Sequence, residues 1–471
     1  MLPSPQNYSV FPSVVQADTA VQITVIPNEK AFLFFEDKEY SVTVIPFNCD
    51  VPDYYTPSNR TVLTAKVLNG ALTFSHTFEG EQEHLIILSS GNTVLQKMSV
   101  YSLYSDLAEL IPFKGDLHSH SYRSDGTRDP SALAALFCEQ GYDFFALTDH
   151  NRFYSGGEVD ETYAGVHTSL CRVKGEEVHT PESDVHIVHV GGRSSVAELY
   201  VNDIARYEKE VKNYESRVPN HVPEAFISRY ARAWWACDKI HEAGGIAIFA
   251  HPYWIPSASL SYNVCEDLAK LLLSSGLFDA YELVGGMGQV GVNLSVSLWN
   301  DMRANGLNIS VVGSSDVHNV KTDATFPDYF TICFASENEN DGIVYAIKAK
   351  RSVAVEASGY EYARQYRVYG EHRLVKYSHF LLKCYFPMLQ RLSYGEGVAM
   401  YAYCMEGCDK ALIEQLSLLS QSFKMRFFGK AAPQLPSKNV NDFESKWRAV
   451  QLQGPTTKGS HIKSSKITRQ I

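Results

Sequence analysis

The feature that most constrains this chain is a series of short apolar segments, each closing on a histidine or a carboxylate. FKGDLHSH, FFALTDH, CRVKGEEVH, DVHIVHVGG, GIAIFAHP, AYELVGG and NISVVGSSDVH read as strands. Helical periodicity lies between several of them, as in PSALAALFCEQGY and ARAWWACDKIHEAGG. Strand and helix in alternation imply a parallel sheet, and seven such repeats imply an α/β barrel whose strand ends converge on one mouth. His118 and His120 form an HxH, and residues two apart on a strand share a face, so both imidazoles can reach one metal. Asp125 follows in SDG, and Asp149 and His150 close LTDHN. Glu177 lies in GEEVH, His186 in DVHIVHVGG, His251 in FAHPYW, and Asp316 and His318 in GSSDVH. Histidines kept for packing alone have no reason to gather at strand ends.

The flanks read differently. In residues 1–110, VQITVIP, AFLFFE, YSVTVIPF, TVLTAKVL, ALTFSHTF and EHLIILSS are short and β-branched or aromatic, which predicts a small antiparallel sandwich. Residues 111–357 hold the barrel, and 358–471 read as a mainly helical extension ending in a polar, disordered tail. An insertion over 194–232 is charged and tyrosine-rich, fit to roof the mouth or to lie as a solvated helical surface. The net charge of -11 disfavours nucleic acid and anionic membrane as partners and leaves a small-molecule substrate as the expected one. Neither a secretory signal nor an apolar span is expected, and nine cysteines without framework spacing suit a reducing cytoplasm. Oligomeric state is not legible.

The ordered series GDLHSH…SDG, LTDHN, GEEV, VHIVHVGG, AHP and GSSDVH resembles the motifs of the PHP (polymerase and histidinol phosphatase) metallohydrolases over about half the chain. That resemblance implies a distorted seven-stranded barrel holding two or three divalent metals. It implies one metal on His118, His120, Glu177 and Asp316, and a second on Glu177, His186 and His251. A third would take Asp125, His150 and His318. Glu177 is chosen over Glu176 because it precedes the valine, and His186 over His189 by its distance to the following glycine.

Imidazole and carboxylate without thiolate suit zinc, manganese or iron. Metals close together lower the pKa of a shared water from about 15.7 towards about 7, giving a hydroxide that attacks phosphorus or a carbonyl carbon. Ser119, Ser121, Ser314 and Ser315 then serve as spacers and hydrogen-bonders. Asp149 is expected to orient its neighbours, and Glu282, in YELVGG, is a strand-end carboxylate, an orienting group or a general acid. Arg123, Arg128, Arg152 and Arg193 are placed near the mouth as phosphate holders or surface arginines, with Tyr253 and Trp254 lining the pocket or packing beneath it. The leading expectation is a phosphoesterase on a small organic phosphate. Amide, carbamate or ester hydrolysis at the same site is the alternative, and a non-catalytic metal-containing binding protein is the third reading.

Overall fold

The structure, a computed structural model, describes residues 6–48, 60–257, 259–359 and 364–452. The polar tail expected after residue 453 lies outside the described residues.

The first nine strands are β1 (Tyr8–Phe11), β2 (Val14–Gln16), β3 (Ala20–Pro27), β4 (Ser41–Pro46), β5 (Thr61–Thr64), β6 (Lys66–Leu68), β7 (Ala71–Thr77), β8 (Gln82–Ser90) and β9 (Thr93–Leu103). They form two sheets, ordered β1-β3-β7-β6 and β2-β9-β8-β4-β5, with Val25, Leu72, Val42, Ile86 and Val100 in a shared core. Two sheets are present as read from the sequence, but not wholly antiparallel, since β2 pairs β9 in parallel, and two of the expected strands differ. AFLFFE is no strand: Phe34 leaves the ladder to pack its ring between Tyr8 and Tyr40, at 4.9 and 5.0 Å. TVLTAKVL divides at Ala65 into β5 and β6, which join different sheets.

The central sheet contains β10 (Ile111–Asp116), β11 (Phe144–Leu147), β12 (Cys171–His179), β13 (His186–Val190), β14 (Ile246–Phe249), β15 (Ala280–Val284) and β16 (Ser310–Gly313). It continues beyond β10 through β17 (Tyr329–Ala335), β18 (Ser352–Ser358) and β19 (Gln365–Tyr369). All seven strands read from the sequence exist and neighbour one another in chain order.

The strand–helix alternation breaks at one point. Only six residues, 180–185, join β12 to β13, whereas a parallel crossover needs a dozen or more, so β13 runs antiparallel to both β12 and β14. The far edge closes through side chains, not a ladder. Thr331 Oγ1 accepts from Gly313 N (2.9 Å) and lies 2.7 Å from Gly313 O, while Ser352 Oγ donates to Val311 O (2.9 Å). Inside the curl, Phe113, Phe144, Val173, Val188, Ile248 and Val312 pack into a buried apolar plug beneath the mouth.

The 194–232 insertion folds as helices Ala197–Asn202 and Ile204–Glu215, whose Tyr207 and Val211 are buried in a core shared with Trp235. None of its residues lines the cavity at the mouth. The boundary at residue 357 shifts as well, since β19 adds a strand to β18 before the helices begin. Those helices, His372–Cys384, Phe386–Tyr403 and Lys410–Phe427, join the sandwich to the sheet in one apolar core containing Leu103, Phe137, Tyr377 and Phe427. Arg373 ties them to Glu81 (2.7 Å) and Asp106 (2.9 Å), and Lys424 reaches Asp143. Among the described residues no helix is long and apolar enough to cross a membrane, and the eight cysteines are unpaired.

Beneath this junction Lys114 is buried, its ammonium 4.0 Å from the Tyr142 ring centroid and 3.1 Å from Gln140 O. Burial pulls its pKa down to about 7, far below the value of about 10.4 that an unfolded lysine keeps. Between those values the unfolded chain holds the extra proton. Lys114 therefore adds stability as pH rises through that window and loses it as pH falls through about 7. Lys114→Met is expected to remove this slope and to melt above the wild type at pH 6, as measured by thermal denaturation at pH 6 and pH 9.

Candidate metal centre

Strand ends bring the motifs together. β10 stops at Asp116, whose buried carboxylate accepts from His118 N (3.0 Å) and from Ser315 N (3.0 and 3.1 Å), pinning the first motif to the last. Parallel bridges Ser119–Val317 and His150–Glu177 extend the sheet into the mouth. Asn151, His251 and Asp316 hold φ of 53°, 24° and 52°, a region that non-glycine residues rarely adopt and that clusters at functional sites.

Glu177 is the hub. It is 1% exposed, and each carboxylate oxygen faces three imidazoles. Oε2 lies 2.9 Å from His150 Nδ1, 3.2 Å from His118 Nε2 and 3.4 Å from His120 Nε2. Oε1 lies 2.9 Å from His186 Nδ1 and 3.2 Å from both His179 Nε2 and His251 Nε2. Asp316 Oδ1 stands 3.0 Å from His120 and 3.3 Å from His118, while Asp125 stands 3.3 Å from both His150 and His318. The three donor groups implied by the motifs are thus assembled around one carboxylate: His118, His120, Glu177 and Asp316; Glu177, His186 and His251; and Asp125, His150 and His318, joined by His120.

The residues fit divalent cations. His118 Nε2, His150 Nδ1, Glu177 Oε2, His179 Nε2 and His186 Nδ1 are all buried without a hydrogen-bond partner. A buried polar atom left unmade costs about 1–3 kcal/mol, and five gathered about the Glu177 carboxylate call for acceptors of lone pairs. Burial pushes the Glu177 carboxyl up, but His118, His186 and His179 outweigh it and hold it well below the usual range. Asp316 is likewise held low, by His118 and His120 against burial. Burial brings the His186 imidazole down to about 4, whereas neighbouring carboxylates, against burial, raise His118, His150 and His251. Ionised carboxylates and neutral imidazole are the forms that ligate metal, so a cation entering here would displace protons from those three histidines.

Neighbouring groups hold this set in place. Glu282 is buried, not a solvated strand end: Oε1 lies 3.0 Å from His118 Nδ1 and Oε2 accepts from His251 N at 3.1 Å. Both oxygens face the backs of donor residues, which gives Glu282 a positioning geometry in place of a general acid's open approach. Glu282→Gln is expected to cost about 10- to 100-fold in metal affinity, the range for a group behind a ligating histidine, as read by competition with a chromophoric chelator. Asp149 accepts from Ser121 N and Ser124 Oγ (2.7 Å each) and from Ser121 Oγ (2.6 Å), fixing the turn that presents Asp125. Among the serines, Ser119 Oγ donates to Ala146 O (2.8 Å), as a spacer would.

Strand alternation separates the paired candidates. Glu177 and His186 face the site, whereas Glu176 and His189 meet each other on the opposite face at 3.1 Å.

The centre opens into a cavity of about 540 Å³ lined by His150, His179, Trp254, Met287 and Thr325, among others, and, among the described residues, by no arginine. Arg123 is held by Glu158 at 2.8 Å and lines a neighbouring cavity with Arg152. Arg128 lines neither cavity. Arg193 stands beside Gly244 at the opposite end of the sheet, because β13 runs antiparallel and its C-terminal end points away from the mouth. Trp254 does line the pocket, while Tyr253 packs in the core beneath. His179 was missed by the motif reading, although its position two residues after Glu177 on β12 was the available signal.

These groups form a donor constellation fit to hold divalent cations. No protein-family model matches the chain. A 58-residue stretch is 40% identical to the DNA polymerase/3'-5' exonuclease PolX of Bacillus subtilis, covering 12% of this chain and 10% of that protein. Among solved structures, a two-domain Bacteroides vulgatus protein described as containing a predicted PHP-like metal-dependent phosphoesterase aligns with a TM-score of 0.36 and 18% identity. That alignment covers 53% of this chain and 66% of that one. An amidohydrolase from Chromobacterium violaceum, solved with bound sulfate and no metal, aligns with a TM-score of 0.31 and 17% identity, over 44% of this chain and 89% of that one. The ordered motifs and the local match to PolX, which has a PHP domain, support a PHP-family relationship.

Proposed function

We propose that this chain is a metal-dependent phosphoesterase acting on a small organic phosphate. One observation carries the reading: three donor groups share Glu177 or its neighbours and open on a single pocket. A phosphate monoester presents three non-bridging oxygens where a carbonyl presents one, so a cluster of adjoining cation positions matches the first. Divalent ions in these positions would supply an activated water and neutralise charge developing on the phosphoryl oxygens.

The chain's own residues set the stage for that chemistry. Glu177, buried, and Asp316, partly buried, are ionised and fix the donors, and Glu282 orients His118 from behind. Asp149 holds the turn that carries Asp125 at the rim, where that carboxylate is 56% exposed. Trp254 and Met287 give the organic part of the substrate an apolar wall. Arg123 has no part in this scheme.

The same wall, in a pocket without arginine, favours a second reading in which the electrophile is the carbonyl of an ester or amide. Protein loaded with manganese, zinc or iron would be assayed on nitrophenyl phosphate and on nitrophenyl esters and anilides. Phosphatase turnover that survives Arg123→Ala and vanishes with His118→Ala/His120→Ala is the expected result. Ester or anilide cleavage alone would replace it with the second reading.

A further inference from the structure

Resting on the metal-dependent reading above, we propose that His179 supplies a further protein ligand, through Nε2, to a cation shared with Glu177 and His150. The motif series accounts for nine donor residues, and His179 is outside it. It ends β12 two residues beyond Glu177 and so shares its face. Its Nε2 lies 3.2 Å from Glu177 Oε1, and its ring centroid is 3.8 Å from that of His186 and 4.4 Å from that of His150.

Two observations separate His179 from a histidine that merely borders the pocket. Nε2 is buried and makes no hydrogen bond, although a carboxylate oxygen stands within reach. Donors arranged around a shared cation stand in this relation; a neutral histidine paired with a carboxylate would turn to donate. The residue is also fixed from its backbone. His179 N donates to Asn151 Oδ1 (2.8 Å), which also accepts from Tyr200 Oη (2.5 Å), while Asn151 N donates to Glu177 O (2.8 Å). Asn151 adopts its positive φ to make these contacts, so the strand end carrying His179 and the one carrying His150 are locked together.

His150, Glu177 and His179 bring ligand atoms within 4.8 Å of one another, a donor group distinct from that of Glu177, His186 and His251.

The test is a titration of chelator-stripped full-length protein with Co²⁺, followed by visible absorption and by metal analysis after gel filtration. His179→Ala is expected to weaken one class of sites by at least about tenfold and to change the visible absorption of the bound Co²⁺. His179→Asp, which returns a ligand oxygen, restores the bound ion. Unchanged equivalents, affinity and spectrum in His179→Ala would overturn the assignment. If the alanine variant does not fold, the comparison moves to His179→Asp against His179→Asn: tighter binding by the aspartate supports ligation, and equal binding overturns it. Wild-type protein that binds no Co²⁺ would instead bring down the metal-dependent reading itself, and a change of electrophile from phosphorus to carbon leaves this inference standing.

Discussion

Glutamine in place of Glu177 is expected to empty the centre of metal and abolish turnover while leaving the fold intact. The side chain is nearly isosteric, so the apolar plug beneath it is undisturbed. What changes is charge and lone-pair count. Each oxygen of Glu177 now faces three imidazoles within 3.4 Å, and an amide puts an N–H, which cannot ligate, on one of those two sides. His118 also loses one of the carboxylates that, against burial, raise its affinity for a proton. Because Glu177 belongs to three of the five donor groups among the described residues, the loss extends beyond one position. The fall in affinity should exceed the roughly 10- to 100-fold typical of a residue standing behind a ligand. Metal analysis of purified Glu177→Gln beside wild type, with circular dichroism to confirm folding, gives the answer. Retention of a full metal complement would show that Glu177 is not the hub.

The comparison of sequence with structure turns on period and direction. Donors were legible because β-strands repeat every two residues: HxH at 118 and 120 reads as one face, and Glu176 and Glu177 as two. The same rule would have found His179, had GEEVH been read through to its last residue. The direction of β13 was not read, and it decides two positions. His186 reaches the mouth from the start of its strand, and Arg193 is carried to the far end. The six-residue loop before β13 contained that information, since no crossover fits in it. Arg123, by contrast, could not have been placed from sequence. Whether it points into the pocket depends on Glu158, 35 residues away and on another element. AFLFFE failed for a similar reason, its strand propensity being overridden by the ring packing of Phe34.

Gly286→Ala is expected to displace Asp316 and disable the centre, although residue 286 contributes no side chain to it. A methyl built on Gly286 would sit 1.9 Å from Asp316 Oδ2 and 2.6 Å from both Cβ and Cγ of the same residue. Contacts that short force a shift, and the atoms met include the root of the side chain as well as its tip. Asp316 has little room to yield. Its N donates to His118 O at 2.9 Å, its O lies 3.0 Å from His318 Nδ1, and its φ of 52° already departs from ordinary backbone. Relief therefore comes from moving the carboxylate off His118 and His120, and a displacement of about 1 Å in a preorganised site costs on the order of 100-fold in rate. Gly288 offers the matched control. It lines the same pocket, has nothing within 4 Å of an added methyl, and begins the helix Gln289–Ala304 with a negative φ. Gly288→Ala should keep both metal and turnover. Loss in both variants would mean that the loop tolerates no side chain at all, and loss in neither would mean that Asp316 is not held where its ligand role requires.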